Sequence, residues 1–333
     1  MGKLKTKNKY AKYGYLFSLP FVIIFVIFSL YPIVHTFRIS FSGLQGNATG
    51  AINILSNPFQ NYIDMWSNPT FRLSLSNTVL LWVFNFIPQI VLAVALAAWF
   101  TNKMLNLKFS GFFKTLFYMP NIITAASVAI LFGALFGAPI GPLNDLLMRL
   151  GILESTTHFF RNPVIARGTV MFIQFWMWYG STMIIVIAGI NGINPSLFEA
   201  AAIDGASGFQ TFFRVTLPQL KPIALFTLLT SFIGGMQMFD IPMLLVDRSG
   251  PDNATLTAAV FIYNQAFGPS RMFARAAAAS IILFIMCALI AGLLFLLFHL
   301  VPSITNKIKT DEINKRTEFL KIEELKRMKE EVA

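Results

Sequence analysis

The sequence predicts an all-α integral membrane protein with six transmembrane helices. Of its 333 residues, 56% are hydrophobic and only 12% charged, mean hydropathy is +0.65, and the apolar residues gather into runs long enough to cross a bilayer. Soluble domains carry about 25% charged residues. In hydrocarbon every backbone N–H and C=O must be satisfied within its own segment, so a run of about 20 apolar residues reads as a helix.

The first run, Tyr15 to Phe37, contains Pro20 and Pro32 and is followed by no small-residue cleavage site, so it is expected to remain as a span and not to be removed as a signal peptide. The second covers Leu75 to Phe100 and the third Leu116 to Phe136, where Asn121 follows Pro120 and Gly133 and Gly137 have the G-x-x-x-G spacing of close helix packing. The fourth, Ala166 to Ile190, holds QFWMWYG (Gln174 to Gly180). Its Trp176, Trp178 and Tyr179 suit interfacial anchoring, with stacking on a sugar as the alternative. The fifth covers Ile223 to Val246 and the sixth Ala276 to Leu300. Residues 1–14 form a basic N-terminus, 15–301 the six-span region, 191–222 a polar loop within it and 302–333 a charged tail. Mixed Lys and Glu beside Ile313, Leu320, Ile322, Leu325 and Met328 predict a tail helix with a modest apolar face.

Lys and Arg set the orientation. The N-terminus, second loop, fourth loop and tail together hold 18 of them and the three opposite loops hold 7, so both termini and the 191–222 loop are expected in the cytoplasm. Seven acids offset the tail's share. The net charge of +11 is dispersed over loops and ends, which fits membrane orientation and argues against a nucleic-acid partner. Cys287 is the single cysteine, His35, His158 and His299 are far apart in sequence, and no phosphate-binding loop or nucleophile motif occurs. No catalytic, cofactor-binding or metal-binding residue is expected in this chain.

Between the fourth and fifth spans, Asn194 suits an N-cap and Pro195 the first helical position. A helix of about ten residues, too short to span, should run from there to a left-handed end at Gly205. Ser207 can cap a second short helix carrying Phe209, Phe212 and Phe213, which Pro218 should close. The residues alone leave two readings open: a rigid contact that passes force to a soluble partner, or a capped loop resting on lipid headgroups.

This stretch, EAAAIDGASGFQTFFRVTLP, resembles the EAA loop of bacterial ABC-importer permeases, whose pattern is E-A-A, three residues, Gly, nine residues and I-x-L-P. Glu199, Ala200, Ala201, Gly205, Leu217 and Pro218 fall on it without a gap, and Val215 stands where Ile is usual. AAIDGA, FFKTLFYMPNII, LLVDRSGPDN and the opening YGYLFSLPFVIIFVIFSLYPIVHTF are similar to the carbohydrate-uptake branch, in particular to multiple-sugar permeases and the larger permease subunit of maltose-type importers. The likeness extends from about Tyr13 to Val301.

The resemblance implies the type I importer permease fold in a bacterial cytoplasmic membrane. It also implies a second homologous permease, two ATPase subunits holding ATP and Mg, and an extracellular solute-binding protein docked on the outer loops. Glu199, Ala200, Ala201, Asp204 and Gly205 would form a coupling helix seated in a cleft of the ATPase, with Leu217 and Pro218 completing the loop. The imported substrate would be a sugar or oligosaccharide.

Polar groups inside spans usually face a cavity or another helix. The fifth span is richest in them, with Ser231, Gly234, Gly235, Gln237, Asp240 and Pro242; Asp240 is the only acid in any span, and the glycine pair with proline predicts an irregular helix lining a cavity. Gln237 and Asp240 can bond sugar hydroxyls, and Met236, Met238 and Phe239 can meet apolar ring faces. The family's sugar-contact pattern falls on Ser231, Gly234, Gly235 and Met238, but its asparagines are replaced by Gly235 and Met238. Helix packing is the plainer use of the same residues. Rival expectations are a glycerol-phosphate or polyol importer permease, an ion-coupled carrier acting alone, and a receptor whose loop recruits a partner.

Overall fold

A computed structural model describes residues 11–300 apart from 48, 103, 104, 106, 140, 247, 248 and 299. The expected tail helix and most of the basic N-terminus lie outside the described residues. Those described are helical or irregular, with a single isolated bridge between Ser42 and Ile54 and no strand.

Helix α1 (Ala11–Phe25) passes through a π turn (Val26–Leu30) into α2 (Tyr31–Ser40), giving a first span of Tyr13–Ser40. Pro32 has no N–H for the carbonyl of Phe28, and the wider π turn just before it accommodates the missing bond. None of the span's most apolar window is buried in the chain, so that stretch of the helix is exposed and apolar on all sides. Helix α3 (Gln60–Ser67) follows, then α4 (Pro69–Thr101), the second span.

The third span is not continuous. It consists of α5 (Ser110–Tyr118), a 3-10 turn (Met119–Ile122) and α6 (Ala125–Leu135), broken at Ile123 and Thr124. Pro120 cannot donate to Leu116, whose carbonyl is taken instead by the Met119 N–H in the tighter turn. Helix α7 (Pro142–Arg149) and α8 (Pro163–Asn191), the fourth span, come next.

After α9 (Pro195–Ile203) and α10 (Gly208–Thr211), a π turn (Phe212–Thr216) and α11 (Leu217–Gln219) lead into α12 (Lys221–Met236). Pro218 therefore does not close the loop's second helix as the sequence predicts. The path stays helical through it, because the π turn absorbs the N–H that proline withholds from Arg214.

The fifth span breaks between α12 and α13 (Asp240–Leu245), at Gln237 to Phe239. Pro242 leaves the Met238 carbonyl without a helical donor, and the Thr257 hydroxyl donates to it at 2.7 Å. Helix α14 (Ala258–Phe267) precedes α15 (Phe273–Phe298), the sixth span. Among the described residues five helices are long and apolar enough to cross a membrane, or six when the broken third span is included.

Two compact units make up the chain. Among the described residues the first takes 11–81, Ala125–Val170 and Met236–Ile285. Within it α6 packs on α13, Phe71 meets Phe261 with ring centroids 5.3 Å apart, and Asp64 pairs with Arg275 at 3.0 Å. Among the described residues the second takes Trp82–Thr124, Met171–Gly235 and 286–300. Its core gathers Ala93, Leu96, Ala97, Met183, Val186, Ile190 and Leu220. The backbone of Phe117 lies where a Cβ on Gly180 would sit, so only glycine admits that approach. Among the described residues no heavy atom outside its own helix backbone lies within 4 Å of a Cβ placed on Gly133, and a Cβ on Gly137 would meet only the preceding turn, so the predicted G-x-x-x-G contact is not made there.

Candidate functional site

The loop between the fourth and fifth spans is built by its caps. Asn194 Oδ1 accepts the Ser196 N–H at 3.1 Å, and Pro195 occupies the first turn of α9 where no donor is needed. At the other end the Ala206 N–H donates to Ala201 C=O at 2.9 Å and the Gly205 N–H to Ala202 C=O at 3.1 Å. That pair of bonds requires the residue after Asp204 to be left-handed, and Gly205 has φ +71°. Two residues on, Ser207 Oγ accepts the Gln210 N–H at 3.3 Å while Gln210 Oε1 accepts the Ser207 N–H at 2.8 Å. This capping box starts α10. The turn between the helices is thus specified from both sides.

Both ends of the loop are fastened to one core. Ile190 lies in the last turn of α8 and Leu220 just before α12, both buried in the same cluster, while Gly189 lets Leu220 and Ile223 approach its backbone. On α9, Ala201 is buried, whereas Glu199, Ala200, Asp204 and Gly205 are exposed. Ile203 is 87% exposed and Leu197 40%. Sequence reasoning passed over Ile203, although an isolated isoleucine between small residues and an acid was a signal of it. Phe209 and Phe213 pair with centroids 4.5 Å apart, Phe209 remaining 74% exposed. Leu217 and Pro218 are also exposed. The arrangement is a short, rigid, mostly apolar knob carrying two carboxylates.

The fifth-span residues divide into two groups. Trp82 Nε1 donates to Ser231 Oγ at 3.2 Å, and its indole fills the space where Gly235 would carry a side chain. Met238 is buried and its carbonyl is held by Thr257. Ser231, Gly235 and Met238 therefore serve the chain's own packing. Gly234, Gln237 and Asp240 are exposed, the last two flanking the break in the helix.

Other positions are placed as follows. The Asn121 amide donates to the Met177 carbonyl at 3.3 Å, and Tyr179 is buried against Phe117. Trp178 is exposed and its Nε1 donates to Gln174 at 3.2 Å. Arg167, unassigned by sequence reasoning, donates to the Ala254 carbonyl at 2.8 Å and to Asn77 Oδ1 at 3.2 Å, while the Asn77 amide donates to the carbonyls of Asn253 and Leu256. No group of three metal-ligating side chains occurs among the described residues.

Residues 65–306 match the family model described as binding-protein-dependent transport system inner membrane component. The lactose transport system permease protein of Rhizobium radiobacter is 32% identical over 295 residues, covering 87% of this chain and 95% of the relative. The arabinooligosaccharides transport system permease protein of Bacillus subtilis is 30% identical, covering 81% and 84%. Among solved structures, a chain of a bacterial ABC transporter involved in the import of the acidic polysaccharide alginate superposes with a TM-score of 0.70 at 21% identity, covering 88% of this chain and 96% of that one. A chain of the alginate transporter in complex with an alginate pentasaccharide-bound periplasmic protein gives 0.71 at 22% identity, with the same coverage.

Proposed function

The chain belongs to the family of binding-protein-dependent transport system inner membrane components, and from that membership we propose that it forms half of the pathway of an ATP-driven importer for a sugar or oligosaccharide. It is a multi-pass membrane permease. The relatives named for lactose and arabinooligosaccharides support a saccharide cargo.

The observation that carries the coupling step is the doubly capped α9 knob, fastened at both ends to the second unit's core. Seated in an ATPase cleft, the face of α9 that carries exposed Ile203 with Glu199 and Ala200 would bury its side chains and pass movement to α8 and α12 without bending. A second homologous permease, two ATPase subunits binding ATP and Mg, and an external solute-binding protein complete the assembly, with the 191–222 loop and both termini in the cytoplasm. Gln237 and Asp240, exposed beside the fifth-span break, are the side chains offered to the sugar.

The test is to purify the tagged chain gently from its native membrane, identify its companions and measure ATP hydrolysis with and without saccharide and binding protein. An ATPase and a second permease in the preparation, with hydrolysis raised by liganded binding protein, is the expected result. A chain that stays alone and moves solute with an ion gradient would overturn the reading.

A further inference from the structure

We propose that Phe239, Tyr263 and Phe267 form an aromatic track along which a saccharide chain lies beside the fifth-span break, an inference that rests on the importer reading. Helix α14 buries Ala258, Val260, Phe261 and Ala266 around most of its circumference. Tyr263 and Phe267, one turn apart, point elsewhere and are 38% and 67% exposed. The Tyr263 ring centroid lies 5.1 Å from that of Phe239 and 5.0 Å from that of Phe267. Phe273 ends the file edge-on, 6.3 Å from Phe267. The file therefore starts between Gln237 and Asp240 and follows one face of α14.

Tyr263 and Phe267 are exposed and Phe239 is half-buried, so the outer rings of the file are not core. Lipid contact is disfavoured at the Phe239 end, where exposed Asp240 is the next residue, because a carboxylate facing hydrocarbon is costly. A row of rings beginning beside the exposed polar side chains of Gln237 and Asp240 suits a ligand with alternating apolar and hydroxylated faces. Sugar rings stack on aromatic faces while Gln237 and Asp240 take hydroxyls at the inner end. The step from ring to ring is on the scale of one pyranose unit, so each added sugar can reach a further ring. The track selects for chain length and not for charge, since the file itself carries none.

The experiment uses cells expressing the whole importer, fed a mixed hydrolysate of arabinan, starch, xylan and chitin, with depletion resolved by oligomer length. Phe267→Leu keeps an apolar side chain without a flat face; Phe267→Trp and Tyr263→Phe keep the face. The Leu variant should raise the half-saturating concentration for tri- and tetrasaccharides about three- to tenfold. It should leave the disaccharide unchanged, and the Trp variant should restore wild-type uptake. Co-purification of the partner subunits with the Leu variant checks assembly. Equal uptake at every length by the Leu variant, or equal loss at every length with dissociation of the subunits, would overturn the track and leave the importer reading standing. No depletion by wild-type cells would remove the importer reading and the track with it.

Discussion

The indole of Trp82 occupies the space a side chain on Gly235 would need, and its Nε1 donates to Ser231 Oγ at 3.2 Å. The glycine at 235 thus admits a close contact between α4 and α12. Gly235→Ala should therefore force Trp82 to move and destabilise the protein by about 1–3 kcal/mol, as overpacking does. Trp82→Ala in the same background should recover part of that loss. Thermal unfolding of the detergent-purified single and double variants measures the coupling; strictly additive effects would mean that the contact is not shared.

Gly205 sits at φ +71° with the Ala206 and Gly205 N–H groups closing α9. A side chain there costs about 1–2 kcal/mol of backbone strain and re-aims the turn. Gly205→Asp should abolish uptake while leaving insertion intact, and Glu199→Lys should do the same by reversing charge on the exposed face. Uptake assays beside membrane-fraction blots check both. Wild-type transport by the two variants would remove α9 from the coupling role.

Ile203 sharpens that prediction. It is 87% exposed, so with α9 seated in an ATPase cleft it is the side chain of that helix with the most apolar surface to bury. Ile203→Asp should weaken co-purification of the ATPase more than Ala202→Ser, because only the first removes apolar surface. Quantitative pull-down with the tagged chain compares them. Equal recovery of ATPase from both variants would place the contact elsewhere on the loop.

The caps of α9 and α10 were legible because each depends on residues only a few positions apart: Asn194 with Pro195, Gly205 after Asp204, Ser207 with Gln210. The irregular fifth span was legible too, since two glycines and a proline cannot keep an even helical ladder. What the sequence hid depends on distant partners. Nothing local to Gly235 announces Trp82, and nothing near Pro218 says that a π turn upstream will carry the helix through it. The third span's break at Ile123 and Thr124 was hidden because the run from Leu116 to Phe136 is long enough to span despite Asn121, Thr124 and Ser127; Pro120 was the signal. Arg167 was missed for the same reason, its partners lying about 90 residues away.

Arg167 holds the loop between α13 and α14. Its guanidinium binds the Ala254 carbonyl and Asn77 Oδ1, while the Asn77 amide binds two further carbonyls of that loop. Arg167→Met leaves two acceptors unpaired at about 1–3 kcal/mol each. The variant should lower the unfolding midpoint and open residues 253–256 to limited proteolysis. Unchanged cleavage and midpoint would show that water replaces the guanidinium without loss.

Asp240 and Gln237 face the same break but have different chemistry, and this separates their effects. Asp240→Asn keeps the shape and removes the charge. If the carboxylate accepts hydroxyl hydrogen bonds from a sugar, the half-saturating concentration for uptake should rise by about tenfold, a charge-assisted bond being stronger than a neutral one by roughly 1 kcal/mol or more. Gln237→Leu removes both donor and acceptor and should change the preference among saccharides. Neither residue is buried, so neither substitution should alter membrane yield. Uptake of competing labelled saccharides, normalised to the amount of inserted protein, reads both effects together. Transport unchanged in both variants would remove the fifth-span site, and a parallel fall in uptake and yield would assign the pair to folding.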